Sequence, residues 1–307
     1  MLKKILRVLL IIILVFIIGN MIFGFIRQRV YLSKVDRVNI INLQGTIEES
    51  LPGVMSGVNI NPEMVSEKLE RAARDNTVKG VVLRVNSPGG SVAASQEIAD
   101  MVRNFNKPIV ISMGDTAASG GYYISAPADA IVAQPGTMTG SIGVIMTAFD
   151  IEEMLEKIGI EREIIKSGKH KDILQRSLTS EERQKLQKIS DEAYSQFVTE
   201  VEKGRDISRE EVEELATGEI YTGSQAKKNG LVDKLGGVKE AVKTVGELGN
   251  LKNPVEYKYP APGLFERFQG MVYEISMMLK NKWVPKELLI KEYLNNHSSF
   301  QLRYELK

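Results

Sequence analysis

Two glycine-rich turns and one lysine-rich cluster hold the residue types from which hydrolytic chemistry is built. The turns are Asn86-Ser87-Pro88-Gly89-Gly90 and Ala117-Ala118-Ser119-Gly120-Gly121-Tyr122-Tyr123. Each closes a run with strand character, and ligands of open α/β sheets bind beyond the carboxyl ends of strands. A Gly-Gly turn offers backbone N–H groups without side-chain obstruction, which suits it to the oxyanion of a tetrahedral intermediate. Ser119, at the turn into a helix, is placed as a nucleophile. Either turn taken alone also fits a purely structural role.

A serine hydroxyl needs a base. A histidine triad would have to use His170 or His297, and His297 lies in the polar stretch Asn295-Asn296-His297-Ser298-Ser299. The nearer source is Lys166-Ser167-Gly168-Lys169-His170-Lys171-Asp172-Ile173. For a lysine to accept a proton near pH 7 its pKa must fall by roughly three units, and burial or neighbouring cations push in that direction. A solvated charged loop is the plain alternative for the same cluster.

Composition narrows the chemistry further. The 40 Lys+Arg and 39 Asp+Glu nearly cancel over 307 residues, but residues 1–37 hold seven of the basic side chains and one acidic one. The remaining body is therefore mildly acidic and lacks the basic footprint of a nucleic-acid binder. The absence of cysteine excludes disulfide scaffolds, zinc–thiolate sites, iron–sulfur clusters and thiol nucleophiles. Two histidines argue against a multi-histidine metal site, so no metal or other cofactor is expected.

The elements that would carry these residues alternate. Strands are expected at 38–43, 80–85, 109–113, 130–133, 142–147 and 161–165. Helices are expected from Pro62, over 92–105, from about Ala118, and over 151–158, 179–204, 208–215, 223–229 and 237–248. Residues 45–59 read as a polar, glycine-punctuated loop, and Thr179 with Glu182 forms a capping box. This pace implies an α/β fold with mostly parallel strands. Length supports one compact domain with appendages, or two domains at most.

Before the first strand, residues 8–26 form a 19-residue run with no charged side chain. As a helix it would extend roughly 28 Å, close to a bilayer core. Its apolar side chains cover every face, and it lacks the small-residue exit of a cleaved signal peptide, so it reads as an uncleaved transmembrane anchor. Basic residues flank both ends, and orientation does not follow from charge. Beyond 253, Pro254, Pro260, Pro262 and Gly263 mark a linker. Leu264, Phe268, Met271, Val272, Ile275, Met278 and Leu279 then form an apolar helical stripe suited to packing on the body or a neighbouring subunit. Trp283 with Lys280 and Lys282 also suits a membrane surface.

Five ordered motifs agree with one family: Ser-Pro-Gly-Gly (87 to 90), Ala-Ser-Gly-Gly-Tyr-Tyr (118 to 123), Thr-Gly-Ser-Ile-Gly-Val (139 to 144), Lys-Ser-Gly-Lys-His-Lys-Asp (166 to 172) and Gly-Ser-Gln-Ala-Lys-Lys-Asn-Gly-Leu-Val-Asp (223 to 233). From about 38 to 248 the chain resembles the bacterial signal peptide peptidase A family. These are membrane-anchored serine–lysine peptidases with a Clp protease/crotonase-like fold of layered sheets and helices. The resemblance implies Ser119 as nucleophile, Lys171 as general base, Gly90 and Gly120 amides in the oxyanion hole, and Ser141 orienting the lysine. His170 becomes a bystander. It further implies a homo-oligomeric ring in which the lysine reaches a neighbour's serine, as in the short members with one copy of each motif.

The expected organisation is then a cytoplasmic stub at 1–7, the anchor at 8–26, a juxtamembrane linker at 27–37, a peptidase domain at 38–253 and an extension at 254–307. The catalytic body would stand outside the cytoplasmic membrane, with remnant signal peptides and other apolar or unfolded chains as substrates. The extended tail 298–307 could occupy a substrate groove. The rival readings are a crotonase-like acyl-thioester enzyme, which would not need Ser119, and a catalytically silent membrane-anchored ring scaffold.

Overall fold

The computed structural model describes residues 35–49, 59–148, 150, 152–160, 163–174, 176–259 and 303–305, together with Gly19. The expected anchor at 8–26, apart from Gly19, the apolar stripe at 264–279 and His297 lie outside the described residues. Among the described residues no helix is long and apolar enough to cross a membrane.

Three β-branched runs form the parallel centre of the sheet: β1 (Asp36–Gln44), β2 (Val78–Ser87) and β4 (Ile109–Ala118). Their side chains alternate between two faces, as strand geometry requires. Val81, Leu83, Val85, Ile109, Ile111 and Met113 enter the larger core, whereas Val38, Ile40, Val82 and Val110 enter the smaller one. Helix α8 (Val238–Leu248) covers the smaller face with Ala241, Val242 and Val245. The larger face receives Val65 and Leu69 of α1 (Pro62–Arg74), Ile98 and Val102 of α2 (Val92–Arg103), and Phe197 and Val201 of α5 (Ser180–Arg205). Burial on both faces explains why these strands read as nearly continuous apolar runs.

Helix ends follow their local chemistry. Asn61 accepts from the Met64 amide at 2.8 Å, and Pro62 fills the first turn, where its missing N–H costs nothing. Thr179 and Glu182 form the expected reciprocal capping box of α5.

The sheet forks at β4. Its first half, Val110 to Ser112, pairs with β5 (Ala130–Ala133), while its second half, Thr116 to Ala118, pairs with β6 (Met138–Gly140). The order is β7-β6-β4-β2-β1-β9, with β7 (Ile220–Thr222) antiparallel to β6 and β9 (Pro254–Tyr257) at the far edge. β8 (Lys234–Leu235) extends the other branch beside β5. The fork opens the sheet at the carboxyl end of β4, where Ser119 follows.

Three expectations differ from the structure. No strand spans 142–147; the strand is β6, and it stops where Gly140 and Ser141 take positive φ of 77° and 50°. Residues 163–165 form no strand either: Ile165 is 93% exposed, so its apolar character has no sheet to join. The stretch read as a linker from Pro254 instead begins β9 (Pro254–Tyr257), which pairs with β1 in parallel. Pro suits that place, the first residue of an edge strand.

Leu83 is fully buried in the centre of β2. Leu83→Ala is expected to destabilise the fold by about 2–5 kcal/mol. Denaturant unfolding checks this, with a lowered midpoint and an unchanged slope.

Candidate active site

Ser119 follows the last residue of β4 and adopts φ 54°, ψ −121°, a conformation that L-residues avoid. Holding a non-glycine residue there costs on the order of 1–3 kcal/mol, and such strain persists only where the surroundings over-determine it. Two sets of backbone bonds do so. The Ser119 amide donates to the Gly140 carbonyl at 2.8 Å, and the Ser119 carbonyl accepts from the Tyr122 and Tyr123 amides, both at 2.9 Å. The short helix α3 (Gly120–Tyr123) is anchored further by the buried Tyr122, whose hydroxyl donates to the Leu231 carbonyl at 2.9 Å. Ser119 itself is 1% exposed, yet its Oγ has no hydrogen-bond partner among the described residues. A buried hydroxyl left unbonded is costly in a resting fold and is the expected state of a nucleophile awaiting its base.

The first glycine turn lies against the second. A Cβ on Gly120 would stand 3.1 Å from the Gly90 amide nitrogen, 3.2 Å from Gly89 Cα and 2.7 Å from Ser95 Oγ. Glycine at 120 is therefore what allows the Ser119 turn to close on the Gly89-Gly90 backbone. Strand β3 (Gly89–Ser91) is itself clamped on one edge. The Ile47 amide donates to the Gly89 carbonyl at 2.8 Å, and the Ser91 amide donates to the Ile47 carbonyl at 2.7 Å. A Cβ on Gly90 would overlap that Ile47 carbonyl. Because successive peptide groups of a strand point to opposite edges, the Gly90 N–H and C=O face away from Ile47.

That other edge carries the strand β10 (Arg303–Glu305), antiparallel to β3 with Tyr304 opposite Gly90. The tail expected to favour a groove thus has its backbone at the edge that Gly90 presents.

The lysine cluster forms an exposed turn held by ion pairs. Lys166 Nζ meets Asp172 Oδ1 at 2.6 Å, and Lys169 Nζ meets Glu181 Oε2 at 2.8 Å. His170 Nδ1 lies 3.1 Å from Glu182 Oε1, and its Nε2 lies 2.8 Å from Lys185 Nζ, so His170 is committed to α5. Lys171 is exposed and makes no ion pair or side-chain hydrogen bond with a described residue; within one chain neither Ser119 nor Ser141 is bonded to it. Ser141 is nearly buried, and its amide donates to the Glu219 carbonyl at 2.6 Å. The fold thus brings Ser119, Gly90 and Gly120 together and leaves Lys171 on a separate arm.

Sequence reasoning missed three contributors. Ile47, inside a stretch read as polar loop, is fully buried and pairs with both Gly90 and Ile60. Its lone apolar character between Thr46 and Glu48 was the available signal. The pairing of residues 303–305 with β3 depends on contact across more than 200 positions. Arg176 binds Asp172, four residues before it, and Glu182, six after it; the Asp-to-Arg spacing of four was the available signal.

Comparison with known proteins places the chain among peptidases. The family model "Peptidase family S49" matches residues 102–252. A Synechocystis protein named provisionally as a protease is 37% identical over 235 residues, 72% of this chain and 85% of that protein. Protease 4 of Salmonella typhi is 41% identical over 208 residues, 66% of this chain and 33% of that protein. An Enterococcus faecium protein provisionally named signal peptide peptidase SppA is 41% identical over 210 residues, 66% of this chain and 61% of that protein. The chain thus spans about a third of the Salmonella protein and under two thirds of the Enterococcus one.

The ion pairs of the lysine turn carry a pH signature. Lys166, then Arg176, hold the Asp172 carboxyl down at about 2. Lys169, then Lys185, do the same for Glu181, also to about 2. Groups depressed in this way stabilise the turn fully above the ordinary carboxylate range near 4 and lose that contribution as pH falls toward about 2. Hydrogen-exchange protection across 166–182 is therefore expected to drop over that interval while β2 and β4 keep theirs; equal retention would show that these pairs do not hold the turn.

Proposed function

The chain belongs to peptidase family S49, and we propose that it is a serine endopeptidase with Ser119 as nucleophile and Lys171 as general base. The observation that carries this reading is the buried, unbonded Ser119 Oγ on a strained turn packed against Gly89-Gly90. The Lys171 amine takes the Ser119 proton as Oγ attacks a peptide carbonyl carbon. The carbonyl oxygen becomes an oxyanion received by the Gly90 and Gly120 amides. The lysine ammonium then protonates the leaving amine. Water, deprotonated by the same lysine, hydrolyses the acyl-enzyme and frees Ser119. Ser141 would orient the lysine. The scheme calls on no cofactor.

No hydrogen bond joins Lys171 to Ser119 within one chain, and in this reading the base is supplied by a neighbouring copy. The arm that carries it supports this, since Met154, Ile158, Ile160 and Ile165 on the same arm expose 56%, 62%, 51% and 93% of their surface. Apolar side chains concentrated on one projection suit a subunit contact. Homo-oligomerisation into a ring would bury them and complete each site. The fold is of the Clp protease/crotonase type, a reading supported by the parallel forked sheet with helices on both faces.

Residues 8–26 anchor the protein in the cytoplasmic membrane by a single span, with the catalytic body extracytoplasmic. Substrates are remnant signal peptides and other apolar or unfolded chains, added as an extended strand to the edge of β3 that faces away from Ile47, in place of residues 303–305. The backbone of residues 303–305 on that edge supports this mode of binding and the reading of 298–307 as an occupant of the groove.

Ser119→Ala and Lys171→Ala are each expected to lower kcat/KM on a fluorogenic peptide by about a thousandfold or more without changing particle size by light scattering. Mixing the two dead variants should restore about a quarter of wild-type activity, because one random subunit pairing in four carries both groups. Wild-type turnover by Ser119→Ala would refute the assignment. Deleting 298–307 is expected to raise the initial rate; unchanged rate and unchanged assembly would exclude the tail from the groove.

A further inference from the structure

The arm that carries Lys171 buries two carboxylates in an otherwise solvent-exposed region. Asp172 is 5% exposed and Glu182 is 1% exposed. Burying charge is unfavourable unless it is paired and hydrogen-bonded. Arg176 meets this need for both at once. Its Nε binds Asp172 Oδ2 at 3.0 Å, while Nη1 and Nη2 grip Glu182 Oε2 and Oε1 at 3.0 and 2.7 Å. A planar guanidinium can bridge two carboxylates in this way, and an ammonium cannot.

The two carboxylates fix the residues on either side of Lys171. Asp172 follows it directly. Glu182 holds His170, which precedes it, and is itself locked at the start of α5 by the amide and hydroxyl of Thr179 at 3.0 and 2.9 Å. Arg176, then His170, hold the Glu182 carboxyl well below the usual carboxylate range, so the clamp stays ionised at neutral pH. The network also occupies the carboxylate next to Lys171 in sequence: one Asp172 oxygen is taken by Lys166 and the other by Arg176. Among the other carboxylates near the turn, Glu181 is paired to Lys169 and Lys185, and Asp150 accepts a hydrogen bond from the Ser177 hydroxyl.

We infer that Arg176 is the positioning residue for the catalytic base: by bridging Asp172 and Glu182 it fixes the turn that presents Lys171 and keeps the adjacent carboxylate from pairing with the amine. This rests on Lys171 being the base. Without Arg176, the Asp172 oxygen it holds is released to pair with the Lys171 amine, and an amine so paired is hindered from accepting the Ser119 proton. Arg176 touches no reacting atom.

The test uses the full chain in detergent and an internally quenched, leucine- and alanine-rich peptide, with kcat and KM measured from pH 5 to 10. Arg176→Met is expected to lower kcat at pH 7 about tenfold or more, leave KM within about twofold, and move the acid limb of the kcat profile to higher pH by about one unit. Arg176→Lys, which keeps the charge but bridges one carboxylate only, should recover part of that loss. A wild-type profile for Arg176→Met overturns the inference, as does a fall in kcat that is uniform with pH and leaves the limb in place, which is what mere loosening of the fold would give. Should Arg176→Met lose its melting transition, Arg176→Lys decides: kcat lowered about threefold or more at constant KM supports the role, and wild-type kcat overturns it. Lys171→Ala separates the two levels. If it turns over at the wild-type rate, the assignment of the base fails; if it is inactive while Arg176→Met is normal, only the positioning role fails.

Discussion

Close approach of two backbones governs this fold: the turn at Ser119-Gly120 lies directly on the turn at Gly89-Gly90, with no room for a Cβ between them. Everything near it serves that contact. The fork in β4 ends one branch of the sheet early and lets the other carry Ser119 out of the plane. Ile47 holds β3 from behind, so that the strand cannot retreat from the serine turn. The Gly140 carbonyl and the first turn of α3 fix Ser119 in a backbone conformation it would otherwise leave. The unbonded hydroxyl results from these backbone constraints and from no side-chain partner.

The arm that carries Lys171 is organised on different terms. Apolar packing orders the sheet, whereas charge orders the arm, and its exposed isoleucines have no core to enter. Ion pairs suit a projection of this kind, because they fix side chains where little apolar area can be buried. Isolated surface pairs contribute little, but a bidentate arginine shared by two buried carboxylates is a connected network with defined geometry.

Much of this was legible in the sequence. The glycine turns, the parallel centre and the Thr179–Glu182 cap follow from local rules: turn residues, β-branched runs and side-chain oxygens before helices. Most of the missed features depend on contacts distant in sequence, although the Asp172–Arg176 pair lies only four residues apart. The pattern at 142–147 is apolar enough for a strand, but positive φ at Gly140 and Ser141 diverts the chain first. Pro254 looked like a boundary because proline punctuates linkers, yet at a sheet edge its missing N–H costs no ladder bond. Ser119 was singled out by its neighbours in sequence, while its strain and burial follow from contacts with Gly140 and through Tyr122 with Leu231, more than 100 positions away, and neither could be read from the motif.

The clamp of Ile47 on β3 has a consequence for direction. With one edge permanently satisfied, this short strand has a single edge left for pairing, and the described occupant runs antiparallel to it. A chain added there in the same way is read through its peptide groups, which every sequence shares, and its polarity across Gly90 is set before any side chain is sensed. Such an edge discriminates by shape more than by composition: it accepts a stretch of backbone that is already extended and has both peptide edges unpaired. A folded domain offers few such stretches, since its strands are paired and its helices bonded internally. If substrates add to β3 as proposed, the scaffold tests whether the incoming chain is folded before the identity of any residue is tested.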